Sequence, residues 1–184
     1  NEQLVARALK QWSGDRNSIV VATKGGITRG EGETWGRDGS RDYIRSAVEK
    51  SLRNLEVEVI DLYYWHRPDR HLLYSDCVAV FQELKQEGKI KEIGISNANV
   101  EELRVAEEVL GEGGIAAVQN EFSPRFHHTS WPELQWCGKH GIAFVPFSPL
   151  GGISGGAKQV GERFPEIGRI AEAHGVSPQP VSYT

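Results

Sequence analysis

VEVIDLYYWHRPD, Val57 to Asp69, opens as a run of branched and aromatic residues and breaks at Pro68. Val57, Val59, Ile60, Leu62, Tyr63 and Tyr64 suit a strand buried on both faces, as in a parallel sheet. His66 stands where that strand hands the chain to a loop. In α/β proteins that edge, at the carboxyl ends of the strands, carries the chemistry. A histidine there can also serve only as a structural hydrogen-bonding group.

The flanking segments extend the pattern. Leu4, Val5, Ala8, Leu9 and Trp12 recur at helical spacing, and SIVVATKGG (Ser18–Gly26) reads as a short strand ending on Lys24 and two glycines. The polar, glycine-rich stretch from Ile27 to Gly39, with Trp35 in its middle, reads as a long loop. Ser40 looks like the N-cap of a helix carrying Ile44, Val48 and Leu55 inward, and Val78, Phe81 and Leu84 mark another closed by Gly88. EIGIS (Glu92–Ser96) is a strand, Asn99 with Glu102 a capping arrangement, and AAVQNE (Ala116–Glu121) a strand again. Ser130 with Glu133 reads as the cap of a helix ending at His140-Gly141, Ile142 to about Phe147 as a strand, and Phe164, Ile167, Ile170 and Ala171 as a last helix that stops at Gly175. Five strand and helix alternations build a parallel sheet, either part of a (β/α)8 TIM barrel or an open doubly wound sheet. No G-x-G-x-x-G follows a strand, which disfavours the open dinucleotide-binding sheet. A barrel takes about 250 residues, so five units in 184 predict an incomplete one.

With 39% hydrophobic and 25% charged residues, the chain reads as one globular domain over residues 1–184. A net charge of −4 argues against nucleic acid, and the apolar runs are too short for a membrane span. Cys77 and Cys137 fall on helix-like segments, so free buried thiols and a cytoplasmic setting are expected.

The last residues of the five strands are Lys24, His66, Ser96 with Asn97, Gln119 with Asn120, and Phe147 with Ser148. If the strands are parallel neighbours, these groups meet on one rim. The rim holds no carboxylate pair, no metal-ligand cluster and no G-x-S-x-G elbow. A lysine and a histidine can position a proton donor, and Ser, Asn and Gln suit a carboxamide. The set points to carbonyl chemistry.

VATKGG, DLYYWHRPD, GKIKEIGISNAN, VQNEFSP and VPFSPLGG, in this order, resemble the aldo-keto reductases along nearly the whole chain. The resemblance implies a (β/α)8 barrel that transfers hydride from NADPH, with NADH as the other option, to an aldehyde or ketone. It makes Lys24 and His66 the catalytic lysine and histidine. Ser96, Asn97 and Gln119 match the positions that bind the nicotinamide carboxamide, Phe147 the one that stacks on the ring, and Ser148, Leu150 and Gly151 the pyrophosphate loop. The family's aspartate and tyrosine lie ahead of the segments matched here, so the chain reads as a section of a longer protein, nearly inactive alone. Pro178 and Pro180 fall where the family continues a helix, and Pro180 is expected to fit it poorly. Two other readings use the same rim: a lyase with Lys24 as Schiff-base nucleophile, and a barrel that binds cofactor without turnover.

Overall fold

Alternation along β4 (Ile60–Trp65) sorts its aromatic residues between two environments. The computed structural model of the chain describes residues 1–152 and 156–182, and for Glu33 the main chain alone. These fall into two compact units, Asn1–Val118 and Gln119–Thr184.

In the first unit β1 (Ala22–Gly25) pairs parallel with β4, and β4 with β5 (Ile90–Ser96). β6 (Ala117–Gln119) begins beside β5, where Ala116 N–H donates to Ile93 O at 2.9 Å. Helices α2 (Arg41–Leu55), α3 (Tyr74–Gln86) and α4 (Val100–Leu110) connect successive strands, and α1 (Glu2–Gln11) precedes them. Tyr63 and Trp65 pack on the α3 side, with ring centroids 6.0 Å from Phe81, and Trp65 is 5.0 Å from Tyr74. Ile44 and Val48 of α2, Leu84 of α3 and Leu103 of α4 complete that apolar layer. Trp65 therefore has a packing role. Tyr64 lies on the opposite face, in the row Lys24–Tyr64–Gly94 set by the register of three strands.

Local chemistry places the helix ends. Ser40 Oγ accepts from Tyr43 N–H, and Asn99 with Glu102 forms a complete capping box on α4. The strand expected from Val57 starts instead at Ile60, because Glu56 turns left-handed and Val57 N–H is taken by Leu52 O, closing α2. The expected loop from Ile27 to Gly39 contains a hairpin, β2 (Ile27–Arg29) antiparallel to β3 (Trp35–Arg37), tied down by Tyr43 Oη donating to Ile27 O at 2.9 Å.

The second unit holds α5 (His127–His140), β7 (Ala143–Phe144), α6 (Val160–Arg163), α7 (Pro165–His174) and α8 (Pro178–Val181). Glu121 bridges Phe147 in parallel, which continues the strand-and-helix alternation. Ser130 is not a cap: α5 begins one turn earlier, and Ser130 is buried inside it. Pro180 is also accommodated, because α8 starts at Pro178 and both prolines sit in a first turn, where backbone N–H groups have no intrahelical partner to lose. Tyr183 and Thr184 of that segment lie outside the described residues.

Cys77 and Cys137 are free and buried, and burial pushes both thiols up to about 11. No helix among the described residues is long and apolar enough to cross a membrane.

Gly94 leaves the room into which the Tyr64 ring packs, since a Cβ there would overlap the ring carbons. Gly→Ala at an unstrained position usually stabilises by about 0.4–1 kcal/mol, whereas overpacking a core costs about 1–3 kcal/mol. Gly94→Ala is expected to lower the urea midpoint, and an unchanged or raised midpoint would show that the ring moves aside freely.

Candidate functional site

The first unit brings four of the expected residues to one edge. Lys24 is the third residue of β1, and its Nζ stands 5.3 Å from the centroid of the Tyr64 ring, its partner in register. His66 follows β4 directly, and its N–H donates to Gly25 O at 2.8 Å, so the strand ladder runs on to the histidine. Asn97 follows β5 in a left-handed conformation (φ 61°), which asparagine tolerates better than most residues. Its Nδ2 donates to His66 O and to Ser96 Oγ, both at 3.0 Å. Ser96 is buried, so its hydroxyl is held against Asn97. Three neighbouring strand ends are thus fastened together through the main chain of His66.

Charge and burial act in the same direction on the histidine. Burial, then the positive charges of Lys24 and Arg67, pull His66 down to about 4. It is a neutral imidazole near pH 7. Burial also lowers Lys24 from the ordinary lysine range. Lys24 and His66 share an open cleft of about 790 Å³ whose walls include Thr23, Trp35, Tyr43 and Lys50. His66 also borders a cleft of about 530 Å³ with Ile27, Arg29, Trp35, Arg37 and Arg67.

In the second unit Gln119 ends β6 half-buried, and Phe147 N–H donates to Asn120 O at 3.0 Å. Phe147 is half-buried beside that strand end. The chain then turns through three positive-φ residues, Ser148 (φ 55°), Gly151 (φ 87°) and Gly152 (φ 70°), with Gly151 N–H donating to Ser148 O at 2.9 Å. Leu150 and Gly151 line a small cavity of about 40 Å³ that also touches Arg125 and Arg163.

Tyr64, Tyr43 and the arginines of the β2–β3 hairpin are site residues that strand-end reading passes over. Tyr64 is recognisable only through strand register, and the hairpin arginines only once the hairpin is known. Trp35 carried a usable signal, a large aromatic in a polar stretch, and it is 62% exposed beside the cleft. Among the described residues no group of three or more His, Cys, Asp or Glu could hold a metal ion.

Lys24 and His66 thus stand at adjacent parallel strand ends of βα units, the edge at which barrel enzymes carry their functional groups. The aldo/keto reductase family model matches residues 1–184, and the chain belongs to that family. It is 39% identical over 165 residues to a probable aldo-keto reductase of Glycine max, covering 90% of this chain and 46% of that relative. The glycerol dehydrogenase AKR11B4 of Gluconobacter oxydans superposes with a TM-score of 0.80 at 25% identity, over 98% of this chain and 62% of that one. An aldo/keto reductase of Klebsiella pneumoniae, solved with NADP and acetate, shares the fold with a TM-score of 0.73 at 21% identity, over 97% and 58% of the two chains. The chain spans about half the length of the curated relative, and its α/β architecture is part of the (β/α)8 barrel of these proteins.

Because His66 titrates near 4 when folded and near the ordinary 6.5 when unfolded, the unfolded chain binds more protons between those limits. Stability from this group therefore falls as pH drops from 6.5 toward 4. His66→Gln should give a shallower decline of melting temperature across that window, and equal slopes in both proteins would show that His66 is not held neutral.

Proposed function

We propose that the full-length protein carrying this chain reduces an aldehyde or ketone to the alcohol with NADPH. The carrying observation is the pair Lys24 and His66 at the ends of adjacent strands β1 and β4, on one open cleft. Residues 1–184 are read as a single domain of that enzyme, and the buried free thiols suit a reducing cytoplasm.

His66, neutral over the working pH range, offers a ring N–H to the carbonyl oxygen and orients it without becoming a competing acid. The Lys24 ammonium supplies positive charge at the cleft, favouring the negative charge that develops on that oxygen and the ionised form of a nearby phenol. A tyrosine of the full-length protein provides the proton. When bound, the reduced nicotinamide supplies the hydride. Ser96, Asn97 and Gln119 are assigned to its carboxamide, Phe147 to its ring, and Ser148, Leu150 and Gly151 to the pyrophosphate. The turn with Arg125 and Arg163 beside it fits a phosphate-bearing ligand, and the NADP complex of the Klebsiella protein supports the cofactor class.

Burial of Lys24 would also suit an amine nucleophile. The Tyr64 ring beneath the ammonium opposes that reading, because a cation–π contact favours the charged form over the free amine.

With the full-length protein, oxidation of NADPH is expected on adding a reactive aldehyde. Lys24→Met and His66→Gln should each lower kcat by about 10²-fold or more, the scale of positioned acid–base and electrostatic groups. Variants with unaltered turnover would refute the assignment, and borohydride trapping of substrate on Lys24 would replace it with Schiff-base chemistry.

A further inference from the structure

The β2–β3 hairpin has two unlike faces. Arg29 pairs with Trp35 and Ile27 with Arg37, so these four side chains alternate onto one face, while Thr28 opposite Gly36 takes the other. The first face lines the cleft of about 530 Å³ that also includes His66 and Arg67. Three guanidinium groups, one indole and the candidate catalytic histidine therefore meet in one space, and no carboxylate of the residues whose side chains are described lines it. None of the ion pairs among the described residues involves Arg29, Arg37 or Arg67, unlike Arg41 and Arg45, which pair with Glu83 and Glu87.

Exposed arginines on a hairpin are ordinarily a solvated surface. Two features set these apart. The Arg29 guanidinium carbon lies 4.3 Å from the Trp35 ring centroid, a cation–π contact that draws the charge onto the indole. The indole itself is 62% exposed, a large apolar surface left open beside a reaction site. A guanidinium held against a largely exposed indole suits a flat ligand that ends in an anion.

We propose that this cleft selects carbonyl substrates bearing a carboxylate, with Arg29, Arg37 and Arg67 receiving the anion and Trp35 the planar part. The inference rests on the carbonyl-reductase reading above and adds the substrate class. Like-charged groups within about one Debye length, about 8 Å at physiological salt, act together on an approaching anion, and that attraction weakens as salt rises. The positive charges that hold His66 neutral belong to the same field, so an anionic substrate meets a histidine that is already a donor.

The test compares 4-formylbenzoate with its uncharged methyl ester in the full-length protein. The acid is expected to have a kcat/KM about tenfold or more above the ester at low salt, equivalent to about 1.4 kcal/mol. The ratio should shrink at high salt and collapse toward one in the R29Q/R37Q/R67Q variant. Equal values for acid and ester would overturn the proposal while leaving carbonyl reduction standing. A raised KM for NADPH in the arginine variant, with the acid-to-ester ratio unchanged, would also overturn it, since the arginines would then serve the cofactor. If neither aldehyde turns over, the reductase reading fails and binding decides the cleft alone. Benzoate quenching tryptophan fluorescence at lower concentration than benzamide, with the signal lost in Trp35→Phe, supports the anion site. Equal quenching by the two overturns it.

Discussion

In a parallel sheet the strands run out at the same edge, and register decides which side chains arrive there together. Here Lys24, Tyr64 and Gly94 form one row across three strands. Gly94 carries no side chain, so the Tyr64 ring occupies its space, and the Lys24 ammonium rests over that ring. One step further along, His66 takes the carbonyl of Gly25 on one side and the amide of Asn97 on the other. A slip of one residue in either pairing would turn these side chains to the helix layer. The aromatic layer formed by Tyr63, Trp65, Tyr74 and Phe81 makes such a slip costly, because it would carry the same rings out of their packing.

The electrostatics follow from that placement. A half-buried histidine flanked by Lys24 and Arg67 has three reasons to stay neutral, and all act together. The lysine is also desolvated, yet its aromatic floor compensates part of the lost hydration. Burial thus lowers both basic side chains, and His66, with two cationic neighbours, is the one left neutral near pH 7.

Much of this was readable in the residues themselves. Helical spacing and the Asn99–Glu102 box located the helices, and the polar residues ending β1, β4 and β5 marked the edge at which Lys24, His66, Ser96 and Asn97 stand. What escaped was whatever depended on distant partners. The hairpin has three-residue strands made of Ile-Thr-Arg and Trp-Gly-Arg, too short for a period to show, and it is anchored by a hydroxyl from Tyr43 in the next helix. Ser130 and Glu133 have the spacing of a capping box, but burial of Ser130 within α5 overrides it. The ring under Lys24 belongs to a residue forty positions away, brought there by register alone.

Both cysteines, Cys77 and Cys137, are buried, with thiols that burial holds well above neutral pH. Aldehydes are electrophiles, and a thiolate is the side-chain form most prone to attack them. With both thiols protonated and covered, the described residues offer an electrophile little soft nucleophile. Packing that serves the fold thus also keeps both sulfurs covered and in their least nucleophilic form.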